Sequence, residues 1–190
     1  MHKAIIIITL ILIIFSSAAG NEPEFTLDSN SAFYEGEQYN YVMSPPVGFR
    51  MVTYKAKFDG YSFAFVPAQQ IYDSAQIMIG IHIYKIRGLT FEEALTSDTI
   101  SINKHYGNSA KLRPIDPIPL QVGGSAQTFY FDTPIGFVPN VMISYYCGGA
   151  ELIVYELVIQ PSAQKLKAEN QFVQAVGMFR ALKRAELGQK

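Results

Sequence analysis

The sequence predicts an α+β fold in which an antiparallel β-sheet is flanked by helices, as in an α/β/α sandwich. Three observations predict it. Several segments alternate apolar and polar residues with the period of a β-strand, and Gly-containing dipeptides join two pairs of them. Two other segments carry apolar residues at helical spacing. The order is strands, one helix, more strands and a closing helix, which is typical of helices laid on an antiparallel sheet.

The first twenty residues have the three parts of a secretory signal peptide. His2 and Lys3 precede an apolar run over residues 4–15, and small residues follow. A membrane-spanning helix needs about 20 apolar residues, so this shorter run favours a cleaved signal over an anchor. Cleavage is predicted after Ala19 or Gly20. The mature protein is therefore expected in the periplasm or outside the cell.

Charge and composition exclude several classes of function. The 190 residues include 15 Lys and Arg against 16 Asp and Glu, which gives a net charge of −1 and no basic footprint for nucleic acid. A single Cys excludes an internal disulfide and a cysteine zinc cage. At 49% hydrophobic residues, the chain can bury a substantial core. No cofactor is predicted.

The chain is predicted to contain a signal peptide at 1–20, an acidic arm at 21–38 and a single α+β domain at 39–187. All the charged residues of the arm are acidic, whereas most of those in 162–190 are basic. Such runs usually keep a surface solvated. A weaker possibility is that the basic C-terminal helix meets anionic lipid, so membrane contact is expected to be at most peripheral.

The first half of the domain predicts a hairpin followed by a central strand. Residues 51–58 and 61–66 alternate, and Asp59-Gly60 between them favours a type I′ turn that would place Tyr54 opposite Phe65. Residues 76–86 are apolar on both sides of the alternation. This predicts a strand covered on both faces of the sheet.

A helix is predicted over residues 90–106. Thr90 and Glu93 have the spacing of a capping box, in which each side chain bonds the backbone of the other residue. An apolar stripe with helical spacing follows, and Gly107 ends the helix. Glu92 and Glu93 are explained by capping and by the helix dipole.

The second half predicts more strands and a closing helix. Residues 111–122 contain three prolines and can form at most an edge strand, and residues 127–132 form a short aromatic strand. Residues 141–147 and 150–159 are predicted to pair through Gly148-Gly149, with Cys147 opposite Ala150. A C-terminal helix begins at Pro161-Ser162, with an apolar stripe of Leu166, Phe172, Val176, Phe179 and Leu182.

The turn Pro45-Pro46-Val47-Gly48-Phe49, which follows a strand at 39–44, resembles the Pro-x-Gly-aromatic turn common in the PsbP-like superfamily. The later order of elements is similar too, so the resemblance covers about residues 39–186. Phe49 stands where many members have Trp. The superfamily includes extrinsic photosystem subunits and DcrB-like bacterial envelope proteins. Its members are mostly non-catalytic, so the resemblance implies an accessory or binding role.

Residues that could carry chemistry are few. His82 lies in the middle of a strand and His105 near a helix end, so a zinc ion would need further Asp or Glu ligands. No metal site and no catalytic residue is predicted. Cys147, beside Gly148-Gly149, could be exposed as a thiol nucleophile. An envelope hydrolase that uses Cys147 or His82 is therefore the alternative function.

Aromatic side chains favour binding instead. Tyrosines combine an apolar ring with a polar tip, and they are common at interfaces. They could equally well line the rim of the sheet core. The sequence predicts an exported, non-enzymatic binding or accessory protein of the cell envelope, with a protein or small-molecule partner. The possible binding surface consists of His82, Tyr84, Tyr145, Tyr146 and Cys147.

Overall fold

The strands form two antiparallel sheets. The computed structural model describes residues 25–28, 31–86, 88–106, 111–121, 123–132, 141–160 and 163–184. A seven-stranded sheet has the order β4-β5-β6-β10-β9-β8-β7, and a four-stranded sheet has the order β1-β2-β3-β11. The strands are β1 (Phe25–Asp28), β2 (Ser31–Glu35), β3 (Tyr39–Met43), β4 (Phe49–Val52), β5 (Phe63–Pro67), β6 (Ile77–Lys85), β7 (Lys111–Pro119), β8 (Ser125–Asp132), β9 (Val141–Gly148), β10 (Glu151–Ile159) and β11 (Arg180–Lys183).

Three α-helices complete the described fold, and they lie on both faces of the larger sheet. They are α1 (Tyr54–Phe58), α2 (Phe91–Tyr106) and α3 (Lys165–Gly177), and a 3-10 turn spans Tyr72–Ser74. The predicted α+β class with an antiparallel sheet is confirmed. The second sheet was not predicted. The predicted signal peptide lies outside the described residues.

The central strands β6 and β10 pair along their whole length, from Glu151 opposite Lys85 to Ile159 opposite Ile77. Eight of the nine residues of β6 are buried, as the apolar pattern on both sides predicts. The odd-numbered isoleucines of β6 enter the main core between the two sheets and α3. Phe179 lies in this core, with its ring centroid 4.9 Å from that of Tyr146 and 5.8 Å from that of Tyr41.

The other face of the larger sheet is covered by α2 at one end and by α1 with the 3-10 turn at the other. The predicted capping box at the start of α2 is confirmed. The Thr90 backbone amide donates to Glu93 Oε2 at 2.8 Å, and the Glu93 amide donates to Thr90 Oγ1 at 3.2 Å. The predicted edge strand is also confirmed, since β7 with its prolines lies at the margin of the sheet.

The prediction of a first hairpin is wrong. Residues 54–58 form the short helix α1, and β4 pairs directly with β5, so that Met51 rather than Tyr54 faces Phe65. The spacing of Tyr54 and Phe58 fits one helical turn as well as it fits a strand, and their rings contact at a centroid distance of 5.0 Å. Gly60 has φ +86, a conformation that ends a helix as readily as it makes a hairpin turn.

The second hairpin forms, but its register differs by two residues from the predicted one. The turn is Gly149-Ala150, with Gly148 opposite Glu151 and Cys147 opposite Leu152. A shift of two residues leaves every side chain on its predicted face. A Cβ at position 148 would lie 2.5 Å from the Tyr41 hydroxyl. Packing therefore explains why this strand position is a glycine.

The prediction of a long basic C-terminal helix is also wrong. Helix α3 ends at Gly177, and the following chain forms β11, which pairs with β3. Arg180 and Lys183 therefore belong to a strand, and Leu166 is 72% exposed instead of buried in the stripe. Phe179 is buried in the main core, and its burial favours this change of chain direction.

Part of the predicted acidic arm is built into the smaller sheet. Strands β1 and β2 pair with each other, and β2 pairs with β3. The predicted limits of the arm, 21–38, and of the domain, 39–187, stay predictions. Within the described residues, no helix has the length and hydropathy needed to cross a bilayer.

Candidate functional site

Six polar or aromatic side chains lie buried between the larger sheet and its covering helices. Two carboxylates and one imidazole are at the centre, and three tyrosines surround them, so we call this group the carboxyl–imidazole cluster. Its side chains come from β6, β9, β10 and α2, and from Tyr61, which follows α1 after Gly60. Its members are Tyr61, His82, Tyr84, Asp98, Tyr145 and Glu156.

His82 and Glu156 form the centre of the cluster, on the neighbouring strands β6 and β10. The Nε2 atom of His82 lies 3.6 Å from Oε2 of Glu156, and both side chains are almost wholly buried. The Tyr61 hydroxyl donates to the same carboxylate oxygen at 3.2 Å. The imidazole is packed between two rings, with centroid distances of 4.6 Å to Tyr61 and 5.5 Å to Tyr84.

Asp98 brings a second carboxylate to the cluster from α2. Its Oδ2 accepts a hydrogen bond from the Tyr145 hydroxyl on β9. Burial raises the pKa of Asp98 to about 6, and the nearby charge of Glu156 acts in the same direction, whereas the Tyr145 hydrogen bond and His82 oppose this shift. Burial also raises the pKa of Tyr145 well above its usual value.

The raised pKa of Asp98 predicts that the protein is more stable in acid than near neutrality. A carboxyl that binds its proton more tightly in the folded state adds stability at low pH, and this stability is lost as pH rises from about 4 to about 6. Between pH 5.0 and pH 7.5 the loss is about 1.4 kcal/mol, which corresponds to a factor of about ten. Urea unfolding at pH 5.0 and pH 7.5 measures it, and Asp98→Asn is expected to remove this contribution. An equal pH dependence in both proteins would contradict the prediction.

Each of the three central residues of the cluster has one buried atom without a hydrogen-bond partner among the described residues. These atoms are Nε2 of His82, Oδ1 of Asp98 and Oε1 of Glu156. The buried Glu151 differs, because its Oε1 accepts from the Glu37 amide at 2.7 Å and its Oε2 from the Tyr41 hydroxyl at 3.0 Å. Glu151 is therefore satisfied as a link between the two sheets, while the cluster keeps unused hydrogen-bonding capacity.

The five residues predicted as a binding surface do not form one. His82, Tyr84 and Tyr145 are buried, so the prediction of a surface is wrong for them. Tyr146 packs on the opposite face of the sheet, against Phe179, and Cys147 is half-buried near α2. Strand alternation explains the separation, since neighbouring residues of β9 point to opposite faces.

Sequence reasoning missed Glu156, Asp98 and Tyr61. One signal was present, because Glu156 interrupts the apolar run 152–159 of a strand that pairs with the strand of His82. An acidic residue in the middle of a buried strand needs a partner. Asp98 gave no comparable signal, since it lies on a helix whose other acids are exposed.

Cys147 lacks the features of an activated nucleophile. Burial raises the pKa of its thiol, and the nearby charges of Glu92 and Glu151 raise it further. A reactive cysteine needs the opposite shift, because the thiolate is the nucleophile. We expect labelling of native Cys147 by a disulfide reagent at pH 7.5 to be at least about tenfold slower than labelling after denaturation. Equal rates would contradict this prediction.

No three His, Cys, Asp or Glu side chains in the described part of the chain converge in a set that could hold a metal ion. His82, Asp98 and Glu156 are close enough to influence one another electrostatically, but they do not form such a set.

Among the residues whose exposure the structure describes, the most exposed aromatic side chains lie on α1. Tyr54 and Phe58 are each 75% exposed, and Ile71 beside the 3-10 turn is 68% exposed. An ion pair between Lys55 and Asp73 ties α1 to that turn. We call Tyr54, Phe58 and Ile71 the α1 patch. The sequence did not reveal this patch, because residues 54–58 were predicted as a strand with one buried face.

No protein-family model and no curated protein matches the chain. Among solved structures, it is similar to the solution structure of cyanobacterial PsbP (CyanoP) from Synechocystis sp. PCC 6803, with a TM-score of 0.51 and 14% sequence identity. The alignment covers 85% of this chain and 98% of that one. The chain has a PsbP-like fold. The fold that the element order predicts is thereby confirmed, and at this identity the likeness shows the PsbP-like fold alone.

Proposed function

We propose that the protein is exported to the cell envelope and acts there without catalysis, by binding a protein partner through the α1 patch. The observation that carries the proposal is the exposure of Tyr54, Phe58 and Ile71. Soluble proteins seldom leave large apolar side chains grouped on the surface unless a partner covers them. Side chains that are three-quarters exposed project outward, whereas small-molecule sites are concave, and this favours a protein partner.

The alternative, an envelope hydrolase that uses Cys147 or His82, has less support. A general base must reach the proton that it removes from a substrate, and His82 is only 2% exposed. The raised pKa of Cys147 keeps its sulfur in the protonated form near neutral pH. Both observations favour binding over covalent chemistry.

Export is supported by the signal-like pattern of residues 1–20. Mass spectrometry of the protein purified from its native host tests this part of the proposal. The expected mature chain begins after Ala19 or Gly20. A purified protein that still begins at Met1 would contradict export by a cleaved signal.

Site-specific photo-crosslinking in the native host tests the binding surface. A photoreactive residue at position 58 or 71 is expected to form one adduct of defined mass with a protein partner. Position 166 on α3 is the matched control, because Leu166 is also exposed, at 72%, and α3 packs on the opposite face of the larger sheet from α1. Serine substitutions at Tyr54 and Phe58 should weaken the interaction by about tenfold or more. Absence of an adduct at 58 and 71, or equal adducts at 166, would contradict the proposal.

A further inference from the structure

We propose that α2 docks on the sheet together with the uptake of a proton by Asp98, so that acid closes this helix over the carboxyl–imidazole cluster. The inference is independent of the α1 patch and goes beyond the proposed binding function. It rests on how α2 is attached and on the groups that face Asp98.

Few side chains over residues 91–100 of α2 hold this part of the helix to the sheet. Phe91, Ala94 and Leu95 supply the apolar contacts of this part with the sheet face. Asp98 is the buried polar contact, at 7% exposure, and it hydrogen-bonds to Tyr145. The apolar contacts do not depend on pH in the acid range, whereas Asp98 is the buried titratable group that α2 itself contributes, so its protonation state changes the docking free energy.

Several of the elements packed around Asp98 present titratable groups. Burial and the Glu156 carboxylate disfavour the ionised form of Asp98, whereas the Tyr145 hydroxyl and His82 favour it. Burial is the largest effect, so the docked helix holds a proton on Asp98 more tightly than a solvated aspartate would. The titratable groups gathered around Asp98 are Tyr61, which follows α1, His82 and Tyr84 on β6, Tyr145 on β9 and Glu156 on β10.

The direction of the effect follows from linkage. A form that binds a proton more tightly is favoured as the proton concentration rises. In the undocked form Asp98 is in water and has its ordinary proton affinity. Because docked Asp98 binds its proton more tightly, the equilibrium constant for docking of α2 should be about tenfold larger at pH 5.0 than at pH 7.5.

Undocking of α2 would uncover an aromatic part of the sheet. Phe91 packs edge-on against the Tyr145 ring, with a centroid distance of 6.4 Å, and Phe129 packs on the same ring at 5.9 Å. Half-buried Cys147 belongs to the same apolar cluster. The pH of the surroundings would thus control access to this face.

Amide hydrogen exchange of the purified full-length protein tests the proposal. Exchange of residues 91–100 is measured at pH 5.0 and pH 7.5, and each rate is divided by the intrinsic rate at that pH. Wild type is expected to show about tenfold stronger protection at pH 5.0, and Asp98→Asn equal protection at both values. Glu92→Gln is the matched control, since it removes one exposed acid from the same helix and should retain the wild-type response.

A second variant keeps the test decisive if Asp98→Asn fails to fold. Tyr145→Phe removes the hydroxyl that favours the ionised carboxylate, so the midpoint of the pH response is expected to move upward. A merely structural role of Tyr145 would lower protection without moving the midpoint. The proposal is overturned if wild type shows no pH response, if Asp98→Asn retains it, if Glu92→Gln abolishes it, or if Tyr145→Phe leaves the midpoint in place.

Discussion

Gly80→Ala is expected to destabilise the protein by about 3 kcal/mol. Gly80 lies in the middle of β6, and a Cβ there would come within 2.8 Å of three ring carbons of Tyr61. Tyr61 cannot easily move away, because its hydroxyl donates to buried Glu156 and its ring packs on His82. The substitution therefore combines an overpacked core with the loss of a hydrogen bond to a buried carboxylate.

Chemical unfolding followed by circular dichroism measures this effect, and the chain offers a matched control. A Cβ at Gly177, at the end of α3, would lie 3.6 Å from the Pro119 carbonyl oxygen, which is an ordinary contact. Gly177→Ala should be neutral or should stabilise by up to about 1 kcal/mol, because alanine favours a helix. Equal stability of Gly80→Ala and wild type would show that Tyr61 does not occupy this position.

Tyr41→Phe is expected to destabilise the protein by about 2 kcal/mol. The Tyr41 hydroxyl joins the two sheets, since it donates to the Gly148 carbonyl at 2.7 Å and to Glu151 Oε2 at 3.0 Å. Glu151 is fully buried, and the variant leaves its Oε2 without this donor. The cost is large because a buried carboxyl group loses a hydrogen bond without gaining contact with water.

Thermal and urea unfolding measure this second effect. Tyr54→Phe is the control, because it deletes the same hydroxyl from a side chain that is 75% exposed, and its effect should stay within about 0.5 kcal/mol. Equal effects of the two substitutions would mean that the Tyr41 hydroxyl does not stabilise the junction of the sheets.

The sequence could predict those parts of the fold that are encoded by short-range pattern. The apolar alternation of β6 and the capping box of Thr90 and Glu93 are local, and both are confirmed. The α1 region was assigned wrongly, because Tyr54, Ala56 and Phe58 fit a strand by alternation while Tyr54 and Phe58 also have the i and i+4 spacing of a helix. The long-range packing of Phe179 decides the end of α3, and local pattern carries no information about it.

The candidate site was harder to predict than the fold. His82 and Tyr145 were named as candidate binding residues because of their residue types. Their burial depends on α2 and on the neighbouring strands. Asp98 and Glu156 lie 58 positions apart in the chain and meet only after the sheet has formed. The α1 patch was hidden by the wrong assignment of one short segment.

Burial of Asp98 is the feature on which the carboxyl–imidazole cluster and the linkage to α2 both depend. The most direct measurement is the pH titration of the Asp98 carboxyl carbon by NMR, with Asp98→Asn used to assign the signal. The expected midpoint lies near pH 6, because burial raises the pKa of Asp98 to about 6. A midpoint near pH 4, the ordinary value of a solvated aspartate, would show that the cluster is open to water and would contradict the account.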